Sequence, residues 1–299
     1  MKNSAVIITA VFIIVGSSLS AVCAEEAKAY SLTDFMRVSI PAGKRQPVSF
    51  DTAVVKFTDA AKKLEVDLIA AVHIGDKSYY EELNRRFKEY DAVLYELVAE
   101  SGTKPDKTLV ETSKNRSALS SAQNGIGRML ALDFQLSHID YHAANMIHAD
   151  LSPEDFYRRA AERGDIVQMM FNVIVLSVQK SGDKKAAKDE MKSQGRLAAA
   201  AFSPNPPLAL KRFFAMELIR QADDAVLLFG GEGGSAIISD RNAAALKILK
   251  KEIKDGKKKI GIFYGGAHLP EFAVSLEKDF HLKRTATDWL PAWDLRTKH

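Results

Sequence analysis

Cysteine is almost missing from this chain: Cys23 is the only one in 299 residues. It lies in a stretch unlike the rest. Over residues 1–24 Lys2 is the only charge, and AVIITAVFIIVGSSLSAV runs from apolar to small residues before the polar EEAKAY. That order, with Val22 and Ala24 ahead of the cut, predicts a signal peptide of residues 1–24 cleaved before Glu25. An uncleaved anchor is the alternative, because the apolar run approaches the length that spans a bilayer. Lipid attachment at Cys23 fits poorly with Val22 immediately before it. Cleavage removes the only thiol, so disulfides and thiolate metal sites are excluded from the body. Any metal there must be held by His, Asp or Glu.

A second long apolar run is lacking as well, so no transmembrane segment is expected after cleavage and the body reads as an exported domain, periplasmic or secreted. An excess of one charge is also missing. The 42 basic residues against 38 acidic leave +4, and no basic stripe interleaves with aromatics, so no nucleic-acid partner is expected. Three familiar catalytic signatures are absent: H-E-x-x-H, the G-x-S-x-G elbow and the phosphate-cradling G-x-x-x-x-G-K-[ST]. FGGEGGS is glycine-rich but reads as a turn. Oligomeric state is left open.

What is present is an alternation of strands and helices. Residues 25–48 carry little periodicity and read as a loose lead-in to one α/β domain over 49–299. AVVKFTDA and LEVDLIAAVHIG predict two strands joined as a hairpin at a sheet edge. Tyr80, Leu83, Phe87 and Tyr90 then fall at helical spacing after Asp76, a candidate N-cap, and AVLYELV reads as the next strand. Strand, helix and strand in so short a span is a βαβ unit, with its two strands parallel.

Residues of about 105–225 read as a helical insertion. GIGRMLALDFQLS has one apolar face; LSPEDFYRRAAERGD opens on Ser152 as cap with Pro153 first and Asp155 in a capping box. DIVQMMFNVIVLSVQ is apolar on most sides, KSGDKKAAKDEMKSQGR is solvated, SPNPP is a break, and KRFFAMELIRQAD is helical. Beyond it, Leu246, Leu249 and Ile253 mark a helix that stops at Gly256. KKIGIFYGGAH is a strand running into glycines, Pro270 starts a helix, and LKRTATDWLPAWDL is a final strand and tail. The fold class expected is therefore α/β, a mixed and largely parallel sheet flanked by helices.

Polar residues recur where strands end. His73 closes LIAAVHIG, Glu96 sits in LYELV, and His268 follows GIFYGG. In open α/β sheets the carboxyl ends of parallel strands face the ligand crevice. Two histidines and a carboxylate can hold a catalytic metal with positions left for water and substrate. Gly265 and Gly266 permit a sharp turn or close approach of the backbone. Each residue also has a plainer reading: His73 as a satisfied turn residue, Glu96 on the outer face of an edge strand. A second cluster, His138, His142, His148 and Asp150, either organises the loop before the Ser152 cap or reaches the crevice. Arg241 starts the helix that leads to His268.

Together these pieces resemble the TraB/Tiki superfamily, which includes PrgY and GumN proteins. That family has two G-x-x-H motifs, a glutamate after the first and an R-N element before the second. Here AAVHIG carries His73, LYELV carries Glu96, SDRNAAAL carries Arg241 and Asn242, and GGAHLPEF carries Gly265 and His268. The order holds over about residues 50–275, with Ala70 standing where the first motif has glycine. The resemblance implies a Tiki-like fold, related in outline to the erythromycin-esterase and ChaN-like group. It also implies a metal-dependent peptidase using manganese or cobalt, with zinc or iron as further candidates and a peptide or protein as substrate. In that reading His73, Glu96 and His268 bind metal or move protons, and Arg241 stabilises an oxyanion or positions Glu96. Two other readings stay open. One is a non-catalytic binder of a peptide or haem-like ligand, its pocket lined by the apolar middle segment and by Tyr79 and Tyr80. The other is an envelope protein with an idle site.

Overall fold

A computed structural model of the chain describes residues 30–105, 129–165, 184–221 and 235–297. The expected signal peptide, nearly all of DIVQMMFNVIVLSVQ and the FGGEGG run lie outside the described residues.

The architecture is α/β, a mixed sheet flanked by helices. Its strands are β1 (Met36–Ser39), β2 (Ser49–Thr58), β3 (Glu65–Ala71), β5 (Ala92–Tyr95), β7 (Met146–His148), β8 (Lys259–Gly265) and β9 (Lys283–Asp294). A separate two-stranded ladder joins β4 (Ile74–Gly75) to β6 (Asp133–Phe134). Strands β3, β8, β5 and β7 run parallel in that spatial order. On the other side of β3 the pairing is antiparallel. β1 takes residues 49–52 of β2 and β3 takes residues 54–58, while β9 pairs along the whole of β2.

The β2–β3 hairpin forms as expected. Its loop is shaped by Asp59, whose carboxylate accepts from the N–H groups of Lys63 and Leu64 at 2.6 and 2.8 Å. The hairpin is not at the edge, however, because the last strand of the chain returns to cover β2. Nor are β3 and β5 neighbours: β8, more than 160 residues after β5, inserts between them. From Tyr30 onward the lead-in is structured too. Leu32–Asp34 make a 3-10 turn, Phe35 is fully buried, and β1 pairs with β2. Three half-buried residues and one exposed in β1 carry no period long enough to read.

Side chains alternate across the sheet into two cores. Ile69, Val93, Tyr95 and Phe263 face one side; Leu68, Ala70, Leu94, Ile262 and Tyr264 face the other. Helix α1 (Lys77–Phe87) covers the first side with Tyr79, Tyr80, Leu83 and Phe87. Helices α6 (Ser239–Lys254) and α7 (Leu269–Lys278) cover the second with Leu249, Phe272 and Leu276. Each such side chain contributes roughly 1.5–3 kcal/mol on burial. At Gly261 in β8 an added Cβ would come within 2.9 Å of the Ile69 terminal methyl, which would have to move aside.

The middle of the chain is not wholly helical. Ala131 has a left-handed φ of 50°, and β6 follows, paired with β4. The single helix expected over GIGRMLALDFQLS is helical at residues 129–130 and then broken, giving way to a short strand and the four-residue α2 (Gln135–His138). Strand β7 joins the main sheet beside β5. Helix α3 (Pro153–Arg163) is capped as expected by Ser152, whose hydroxyl accepts from Asp155 N, and it ends on Gly164 at φ 69°. Helices α4 (Lys184–Ala201) and α5 (Pro206–Arg220) form a hairpin about the SPN break. α5 is pinned to the sheet edge by the buried Lys211–Asp76 pair at 2.8 Å and by Arg212 Nε on Leu295 O, also at 2.8 Å. Asp76 thus binds α5 rather than capping α1 with its side chain.

Candidate functional site

Because β3, β8, β5 and β7 are parallel, their carboxyl ends lie at one edge of the sheet. His73 follows β3 by two residues, Glu96 follows β5 by one, His268 follows β8 by three and Asp150 follows β7 by two. The segments are fixed from below. Tyr79 OH donates to Ala70 O at 2.9 Å and Tyr80 OH to Val72 O at 3.0 Å, so these rings hold the end of β3 and do not line a pocket. The Gln135 amide donates to His73 O, and Trp293 Nε1 donates to Ile74 O. Ala70 lies in regular strand, paired with Tyr264, where no glycine is needed.

Glu96 is almost buried and uses both oxygens. Oε1 accepts from Arg241 Nη2 at 2.7 Å, and Oε2 accepts from the Gly265 amide at 2.6 Å. Burial alone would raise its carboxyl, but the charges of His268 and Arg241 and the Gly265 N–H outweigh it and bring it to about 2. Arg241 also meets Asp150, through Nε at 2.9 Å and Nη2 at 2.6 Å, the two-pronged geometry a guanidinium offers a carboxylate. Burial opposes that charge, yet Asp150 and Glu96 leave Arg241 more firmly protonated than usual.

His268 is 4% exposed. Its Nδ1 lies 2.7 Å from Asn242 Oδ1, while Asn242 Nδ2 donates to His268 O. That pairing puts the amide oxygen against the ring, so Nδ1 carries the proton and the Nε2 lone pair points into the site. Burial and Arg241 lower the imidazole to about 4 against the pull of Glu96 and Asp150, so it is neutral at pH 7. Arg241 and the Gly265 amide are then what keep Glu96 ionised at neutral pH.

Gly265 and Gly266 serve close approach, not a left-handed turn. A Cβ on Gly265 would stand 3.2 Å from Glu96 Oε2, and one on Gly266 would overlap the Met36 side chain. His73 is exposed and shares one cleft with Glu96 and His268. The cleft encloses about 530 Å³, and its walls are apolar: Met36, Val72 and Ile74, Phe214 and Leu218 of α5, Ile238 and Trp293. Those wall residues were not singled out from the sequence, where an apolar side chain in a helix or strand reads as core.

The histidine cluster of the middle segment divides. Asp150 joins the site; His148 does not. His148 Nε2 pairs with Leu97 O at 2.6 Å and its Nδ1 accepts from Gly102 N at 3.3 Å, so it organises a loop. His138 pairs with Asp133 and stacks on Tyr80, and His142 lies against the Pro105 carbonyl.

Among the described residues no group of three His, Cys, Asp or Glu side chains stands ready to hold a metal ion. Two of the expected ligands do meet the requirement. Glu96 Oε1 and His268 Nε2 are 3.6 Å apart, a gap one divalent cation with bonds of about 2.0–2.2 Å can bridge. One is an ionised carboxylate and the other a neutral imidazole, the protonation states metal binding needs. Two carboxylates against one guanidinium also leave a negative charge unmatched in a buried place. Arg241 Nη1, 3.5 Å from His268 Nε2, is the group a cation would have to stand beside.

No family model, curated protein or solved structure matches the chain. The reading of the site therefore stands on its geometry.

Proposed function

We propose that the chain is an exported, metal-assisted hydrolase acting on peptides, with the Tiki-like arrangement its four motifs resemble. The observation that carries this reading is the pairing of ionised Glu96 with neutral His268 at 3.6 Å on the floor of an apolar cleft. With values near 2 and 4, both groups lie far from the pKa near 7 that suits a general base. They are better suited to hold a cation than to shuttle protons, and His73 at the same cleft is the third ligand. A divalent ion there supplies a Lewis acid that polarises a carbonyl and acidifies water. Asn242 keeps the His268 Nε2 lone pair turned inward. Among the described residues Arg241 Nη1 makes no closer hydrogen bond than its 3.5 Å approach to His268, so it can donate to a developing oxyanion. The apolar walls take bulky side chains flanking the scissile bond and exclude water.

The competing reading is a non-catalytic binder, favoured by one feature: Glu96 already has a donor on each oxygen. A peptide library with apolar residues about the cleaved bond separates the two. The hydrolase cleaves it, loses activity to a chelator, regains it with manganese or cobalt, and is inactive as Glu96→Gln. Binding without cleavage under every metal supports the binder.

A further inference from the structure

Around Arg212 of α5, the β1–β2 connection and the chain's last described residues form a second concavity of about 440 Å³. Lys44 and Arg45 from the connection, Arg212 from α5 and Arg296 after β9 line it, and among the described residues no carboxylate does. Pro41, Gln46, Pro47, Val48 and Thr297 complete the wall. The cations are placed by structure. The connection turns on Gly43 at φ 74°, with the Lys44 amide on Pro41 O and the Val48 amide on Ser39 O. Arg212 is held by Leu295 O and by the Gln46 side chain, and Arg296 by a two-pronged contact with Asp294.

Only Arg296 has a neutralising partner. Lys44, Arg45 and Arg212 have no ion pair among the described residues, and what sets them apart from other unpaired surface cations is that they line one hollow. Three uncompensated cations gathered in one hollow repel one another, and a bound anion relieves that repulsion. We propose that this basin binds a phosphate group, free or carried by a lipid headgroup, independently of the cleft. Its volume admits a phosphate with a small polar substituent. The guanidinium fork of Arg45 suits phosphoryl oxygens, and Arg212, whose three nitrogens already meet Leu295 O, Gln46 Oε1 and Thr297 Oγ1, adds its charge.

The test uses the full chain beside the Lys44→Gln/Arg45→Gln variant, whose changed side chains are exposed and make no partner contacts. Any pull of the N-terminal apolar run on vesicles is then common to both. One arm titrates inorganic pyrophosphate by calorimetry at low salt. The other measures flotation with phosphatidylglycerol–phosphatidylcholine vesicles against phosphatidylcholine alone. The expected result is binding in one arm or both, weakened about 25-fold by the double variant, roughly fivefold for each cation removed. Binding of pyrophosphate alone identifies a soluble phosphate, and binding of anionic vesicles alone a headgroup. Arg212→Gln gives a loss of similar sign from the opposite wall. No binding in either arm, or binding that the double variant leaves unchanged, overturns the proposal.

Discussion

Arg241 touches both carboxylates of the site, so its loss leaves two nearly buried negative charges facing each other. Removing one partner of such a network costs about 3–5 kcal/mol. Arg241→Ala should therefore lower unfolding free energy by that order in urea titrations, and Asp150→Asn in the same background should restore part of it. A loss below 1 kcal/mol would show that the guanidinium is not bound as described. The titration of His268 gives a second expectation. Its folded value, about 4, lies below its ordinary 6.5, so the unfolded chain takes up the proton first. The associated stability is complete above pH 6.5 and falls by about 3 kcal/mol as pH drops to 4. Glu96, at about 2 against 4.5, adds a further loss from pH 4.5 downward. In His268→Gln the upper window disappears, and melting temperature between pH 6.5 and 4.5 flattens. At this scale the sequence was most legible. Polar residues directly after apolar strands, His73, Glu96 and His268, announce a crevice because strand ends in a parallel sheet share one edge, whereas the three-residue strand before Asp150 was too short to read. That Asp150 acts through Arg241 was not readable, since 91 residues separate them.

Among the elements, β8 carries the tightest constraints. A methyl at Gly266 would overlap Met36 of β1 and must displace it. Gly266→Ala should cost about 1–3 kcal/mol, the usual range for overpacking, and Met36→Ala in addition should recover much of it. Equal destabilisation in the single and double variants would mean that the glycine serves some other need. The same contact explains why the lead-in was misread. β1 is four residues long, and its order comes from Phe35, Met36 and their packing partners, not from a local period. Likewise β6 departs from a helical pattern because Ile74 and Gly75 need a partner strand, a tertiary demand that overrides local propensity. α1, α3 and α6 were readable because each carries its own apolar face, cap or stop signal.

For the molecule as a whole, the site exists only when distant parts of the chain meet. β8 must insert between β3 and β5 before His268 can face Glu96, and β9 must return beside β2 before Trp293 can close the cleft wall. The alternation of strands and helices gave the α/β class, while strand order depended on these long-range pairings and was hidden. The molecule carries two regions of opposite character: an apolar cleft with an anionic floor, and a basic hollow. The first is where the central claim lies. Elemental mass spectrometry on the purified chain, beside His268→Ala and His73→Ala, tests it most directly. Near-stoichiometric manganese, cobalt, zinc or iron in the parent, lost in both variants, is the predicted result. A parent that takes up none of these ions, or variants that keep them in full, would contradict the metal site.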